Sequence, residues 1–210
     1  KIKIKFTIID VNSPDSDTNK ILSKISNEGF KAELARVEDV NDTKDNMATT
    51  MASIEKSFYA AQNCADLIYF VEDDYIHKRE SLAEMIFAYE KFSSIFQKEI
   101  FILSTDYPYL YKKMGNSSIL IGEKTHWRTV NESLLTFMTS SKMIKKYFEK
   151  FVDMATNRSD PFEKNLHEIY EKEQCFSPIP SLSIHCTNIN SVFGLSPNID
   201  LKKLWEENKN

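Results

Sequence analysis

The sequence predicts an α/β fold, with a mainly parallel central sheet flanked by helices and a mixed second half. Three observations lead there. Strand-like and helix-like segments alternate through the first half of the chain. "DLIYFV" at 66–71 is an almost unbroken apolar run, as in a strand covered on both faces. After "EIFILS" at 99–104 the pattern changes to short segments that read as paired strands.

Taken in order, "KIKIKFTIID" alternates Lys with Ile and Phe and then turns apolar, as a strand entering a sheet does. "VNSPDSDT" is a turn, residues 18–28 a helix ended by Gly29, and "KAELARV" a second strand. The polar loop "EDVNDTKDN" leads to Met47, Met51, Ile54, Phe58 and Ala61, whose spacing defines one buried helix face. Residues 80–92 form a helix between "DLIYFV" and "EIFILS". This βαβαβαβ order implies right-handed crossovers and parallel neighbours. "SSILIG", "THWRTV" and "SLLTFM" read as short strands, residues 141–155 and 161–173 as helices, and "PSLSIH" as the last regular segment. Trp205 is the expected anchor of a tail laid over the body.

With 210 residues, 24.4 kDa and 41% hydrophobic content, one globular domain is expected. A net charge of −4 argues against a nucleic-acid partner. Cys64, Cys175 and Cys186 are odd in number and far apart, which reads as buried thiols in a reducing cytosol rather than a disulfide or zinc framework. No apolar run reaches the length of a membrane span.

Charge density marks the candidate site. Glu72, Asp73 and Asp74 follow the most buried-looking strand directly, and Asp10 and Asp15 follow the first. In open parallel sheets ligands gather at the carboxyl ends of strands. A divalent cation such as Mn²⁺ or Mg²⁺, shared with phosphate oxygens, would supply the missing positive charge. His126, Trp127 and Arg128 form a second cluster. Trp127 offers a flat face for a sugar ring, and Arg128 a fork for phosphate. Each has a structural alternative: a solvated acidic loop, and a strand with Trp127 in the core.

"DLIYFVEDDYIH" resembles the strand and DXD-type motif of GT-A fold nucleotide-sugar glycosyltransferases, especially family 2-like bacterial enzymes. "IIDVNSPDSDT" resembles their second strand and following turn. "HWRTVNESLLTFM", "RSDPFEKNLHEIY" and "PIPSLSIH" resemble, in order, the acceptor-side strands, the helix carrying the catalytic carboxylate, and the late strand ending in histidine. The resemblance implies a GT-A-like (Rossmann-like) single domain over 1–210. Residues 1–105 would bind the nucleotide sugar, 106–190 the acceptor, and 191–210 form the tail.

By the same resemblance, Asp10 contacts the nucleotide base, and Asp15 and Glu72 lie on the nucleotide-sugar side with Arg128. Asp73 approaches the ribose. Asp74 binds the Mn²⁺ or Mg²⁺ that bridges the diphosphate, joined by His185. Asp160 is the base that activates the acceptor hydroxyl, with Glu163 its substitute; "DPFE" also reads as a helix start with Asp160 as N-cap. His126 and Trp127 fall on the acceptor side.

Two departures from the family pattern stand out. Val11 replaces a frequent second Asp, and the family's first strand has no counterpart before "KIKIKFTIID", so the nucleotide pocket is expected to be built differently or completed from outside this chain. The expected activity is metal-dependent, inverting transfer of a sugar from a nucleoside-diphosphate donor to a glycan or lipid-linked acceptor. The expected setting is bacterial surface polysaccharide synthesis, in the cytoplasm or at the inner face of the membrane. The alternatives are a nucleotidyltransferase of related fold, disfavoured by only four unclustered glycines, and an inactive GT-A-like binding domain.

Overall fold

The computed structural model describes residues 2–38, 40, 44–64, 66–112, 115–156, 163–187 and 195–209. Strand β1 (Lys5–Asp10) is followed by helix α1 (Asp15–Asn27), which stops where Gly29 takes a left-handed φ of 81°. Next come β2 (Lys31–Arg36) and α2 (Asn46–Ala61), whose first amides are capped by the Asp45 carboxylate. β3 (Leu67–Phe70) and β4 (Tyr75–His77) precede α3 (Ser81–Phe96) and β5 (Phe101–Leu103). A 3-10 turn, Pro108–Lys112, leads to β6 (Ile119–Ile121), β7 (His126–Val130) and β8 (Phe137–Ser140). The chain continues through α4 (Ser141–Lys146), α5 (Phe148–Thr156), α6 (Lys164–Tyr170), β9 (Cys175–Ile179), β10 (Ser183–His185) and α7 (Leu201–Asn208).

The mixed α/β class agrees with expectation, but the mainly parallel sheet does not. The central sheet has the order β3-β8-β5-β9-β7-β6. Among the described residues only β5 and β9 pair in parallel within it; β3–β8, β8–β5, β9–β7 and β7–β6 are antiparallel. β1 and β2 are parallel but form a separate two-stranded sheet, and β4 pairs with β10 in another. The physical reason is β8. Phe137 and Met138 are buried on opposite faces, so this strand from the later half inserts between β3 and β5 and runs against both.

Strand direction, unlike adjacency, follows the expected crossovers. Since β3 and β5 both oppose β8, they run the same way, and β9 runs with β5. The carboxyl ends of these three strands therefore open on one edge of the sheet, and the amino end of β8 lies there too.

Helices cover both faces. Phe101, Leu103 and Phe137 point toward Ile54 and Phe58 of α2, Phe151 of α5 and Leu166 and Ile169 of α6. Ile100, Ile102, Met138, Phe176 and Trp127 point toward Met85, Ala88 and Phe92 of α3. Full burial of each such side chain contributes about 1.5–3 kcal/mol. β3 has apolar cover on both faces yet is only half-buried throughout, because it is an edge strand. Of the cysteines only Cys175 is buried; Cys64 is exposed and Cys186 half-buried, and all three are free.

Candidate functional site

The carboxyl edge of the central sheet carries the acidic stretch. β3 ends at Phe70, and Glu72 is held to the edge by Thr136, just before β8. The Glu72 amide donates to Thr136 Oγ1 at 3.1 Å, and that hydroxyl donates to Glu72 Oε2 at 3.3 Å. Burial pushes the Glu72 carboxyl up to about 7, and the charges of Asp74, Glu163 and Asp73 push the same way. Asp73 is exposed. Glu163, 8% exposed, occupies the N-cap position of α6 without a side-chain capping bond. Asp160 lies outside the described residues. The helix expected over 161–173 is described as Lys164–Tyr170.

Asp74 and His185 come together from opposite halves of the chain. The antiparallel pairing of β4 and β10 sets Tyr75 opposite His185, and the Cys186 amide donates to the Asp74 carbonyl at 2.7 Å. The two rings stack with centroids 4.8 Å apart and planes at 18°. This fixes His185 so that its Nε2 lies 2.8 Å from Asp74 Oδ2, while its Nδ1 is buried with no hydrogen-bond partner among the described residues. The Tyr75 and Tyr107 hydroxyls are 2.6 Å apart, tying the ribbon to the segment after β5.

A hard divalent cation suits this pair in donor chemistry. A carboxylate oxygen and an imidazole nitrogen are here in direct contact at 2.8 Å, and an ion would take the place of that contact. Among the described residues no group of three or more His, Cys, Asp or Glu side chains could hold a metal. Asp74 and His185 are the two residues at this edge whose donor atoms could contribute to a metal site.

Behind the ribbon, His77 Nε2 lies 2.5 Å from the Tyr69 hydroxyl, and burial holds His77 down at about 4. This hydrogen bond between the phenol and the neutral ring joins β4 to β3. A series of hydroxyls links β10 to β5: Ser183 donates to Ser104 at 2.7 Å and lies 2.6 Å from Thr105 Oγ1.

The remaining predicted residues are placed elsewhere. Asp10, 7% exposed, accepts from Arg36 Nη1 at 2.7 Å and from the Ser13 amide at 3.2 Å. Exposed Asp15 accepts from Arg36 Nη2 at 2.5 Å. The cation beside these two carboxylates is thus an arginine that sequence reasoning had not singled out, placed there because Asp10 and Arg36 are register partners.

Arg128 is committed to Asp106, donating from Nε at 3.2 Å and Nη2 at 2.8 Å to the same oxygen, and it lies 4.1 Å from the Tyr111 ring centroid. Asp106, 2% exposed, also accepts from the Tyr111 hydroxyl. His126 is exposed at the start of β7. Trp127 is fully buried, with no ring face open to an acceptor. Its indole N–H donates to Glu84 at 3.2 Å, and the ring meets Phe92 edge-on.

Arg36, Asp106, Glu84 and Thr136 were missed because each is defined by a partner distant in sequence. Only a DXD-like run and a strand-ending histidine could be recognised along the chain. Among the described residues no helix is long and apolar enough to cross a membrane. Neither a protein-family model nor a curated protein matches this chain.

Proposed function

We propose that this chain is a metal-dependent glycosyltransferase domain that moves a sugar from a nucleoside-diphosphate donor to a glycan or lipid-linked acceptor, with inversion. Its setting is bacterial surface polysaccharide synthesis, in the cytoplasm or at the inner face of the membrane. The observation that carries this reading is the meeting of Asp74 and His185 at the carboxyl edge, since the two are the metal ligands implied by the family resemblance.

In this reading Asp74 and His185 hold Mn²⁺ or Mg²⁺, which when bound stabilises charge on the departing diphosphate. Glu72, raised toward neutrality and steadied by Thr136, exchanges a hydrogen bond with a donor hydroxyl. Asp73, exposed beside it, meets the ribose. Asp160, or Glu163 in its place, accepts the proton of the attacking acceptor hydroxyl. Glu163 lies within electrostatic reach of Glu72, which supports its presence beside the acidic stretch. Exposed His126 remains available to an acceptor.

Calorimetric titration with a panel of nucleoside-diphosphate sugars, with and without Mn²⁺, tests the reading. One donor should give metal-dependent heat, and Asp74→Asn should abolish that heat while leaving the thermal midpoint near wild type. Metal-independent or unchanged binding in Asp74→Asn rejects the metal role.

One set of observations favours a second reading, a binding domain without turnover. Arg36 neutralises Asp10 and Asp15, Asp106 occupies Arg128, and Trp127 is buried. This reading predicts no metal-dependent heat with any donor.

A further inference from the structure

The opposite edge of the central sheet carries the reverse charge. A shallow groove of about 480 Å³ there is lined by Lys98, Glu99, Lys142, Lys146, Tyr147 and Lys172 with their neighbours Met143 and Glu173. Lys98 and Glu99 lie in the turn that leads from α3 to β5, and Lys172 and Glu173 in the turn that leads from α6 to β9, the parallel neighbour of β5. The two carboxylates and the two lysines beside them are compensated to different degrees.

Glu99 accepts from Lys142 at 2.9 Å and from the Tyr89 hydroxyl at 2.5 Å. Glu173 accepts from Lys146 at 2.5 Å and from the Tyr147 hydroxyl at 2.6 Å. Burial acts to raise both carboxyls, and these hydrogen bonds outweigh it and hold both below their usual range. The two carboxylates are therefore charged and matched by Lys142 and Lys146. Among the described residues Lys98 and Lys172 make no direct ion pair, the charge of Lys98 being felt at Glu173 and that of Lys172 at Glu168 only at longer range, and both lysines are exposed.

A lysine just past a helix end is favoured by the terminal carbonyls. That accounts individually for Lys98 after α3 and Lys172 after α6, but not for four lysines facing one concavity in an acidic protein. Both lysines line the same groove on long flexible stems, so their ammonium groups can close on a single phosphate. Lysine binds phosphate as a point charge with three rotatable donors.

We propose that this groove binds a phosphate monoester, held between Lys98 and Lys172 with Lys142 and Lys146 at its rim. The ligand is either a soluble phosphate or the headgroup of a lipid such as phosphatidic acid. The inference stands independently of glycosyl transfer, because it concerns the other edge of the sheet.

The test uses two probes at low ionic strength: inorganic phosphate, followed by NMR titration, and phosphatidylcholine vesicles with and without phosphatidic acid, followed by co-sedimentation. The double variant Lys98→Gln/Lys172→Gln is compared with Lys20→Gln/Lys24→Gln, which removes the same charge from exposed positions on α1. The groove variant should bind about tenfold more weakly, and the comparator within about twofold of wild type. The probe that shows this selective loss identifies the source. Absence of binding to both probes, or an equal effect in the two variants, overturns the proposal.

Discussion

At the scale of residues, Arg36 does for Asp10 and Asp15 what a cation is proposed to do for Asp74. Asp10 is nearly buried and Asp15 is exposed, so one arginine holds two carboxylates of unequal value. Arg36→Ala should cost about 2–4 kcal/mol, because it strands the buried Asp10 charge. Asp15→Ala should cost less than about 1 kcal/mol, as surface ion pairs do. Urea unfolding of the two variants measures the difference; equal costs would show that Asp10 does not depend on this partner.

His77 supplies the pH prediction at the same scale. Its folded value, about 4, lies below the ordinary 6.5, so the unfolded chain binds the proton more readily between those limits. The stability that a neutral His77 contributes is complete above about pH 6.5 and is lost as pH falls toward 4. The loss is on the order of 3 kcal/mol, and His77→Gln should lack it. Parallel pH profiles of unfolding free energy for the two proteins would contradict this. His77 also shows a limit of reading along the chain: a histidine after an acidic run suggests a surface neighbour of the site, whereas the pairing of β4 with β10 turns it inward to Tyr69. Asp74 and His185 were legible as a pair only through family resemblance, since nothing local joins them.

At the scale of elements, the β6–β7 hairpin is docked on α3 by a single buried carboxylate. Glu84 accepts from the Glu123 and Lys124 amides at 3.1 and 3.0 Å and from the Trp127 indole. Gly122 makes this close approach possible. A Cβ there would fall on Glu84 Oε1 and come within 2.5 Å of Trp127 Nε1 and 2.9 Å of the Thr125 carbonyl. Gly122→Ala should therefore destabilise by about 1–3 kcal/mol and shift the Trp127 fluorescence, checked by thermal unfolding with tryptophan emission.

Elements with a long apolar signal, β3 and β5, were legible. β9 was not, because "CFSPI" follows a charged helix end and contains Pro178, which argues against a central strand. In the fold it lies between β5 and β7, with Pro178 opposite Trp127. β4 was missed because three residues after three carboxylates carry no periodicity of their own; β10 supplies the pairing that makes them a strand.

At the scale of the whole molecule, strand direction survived from sequence to structure better than strand order. Crossover helices determine which way β3 and β5 run, and so which edge collects Glu72, Asp74 and Ser104. Which strands become neighbours depends on pairing energies between distant segments, and these placed β8 and β9 in the interior of the sheet. The result is a sheet with carboxylates at one edge and lysines at the other.

The insertion of β8 between β3 and β5 has a consequence for how the chain can be divided. Polypeptides 1–115 and 116–210 would each carry a sheet with a strand-wide gap and its apolar faces uncovered. Neither should show a cooperative urea transition alone, whereas co-expression should restore one; an independent transition in 1–115 would refute this. What the order of the chain offers as two modules is one obligate unit, interleaved like the fingers of clasped hands.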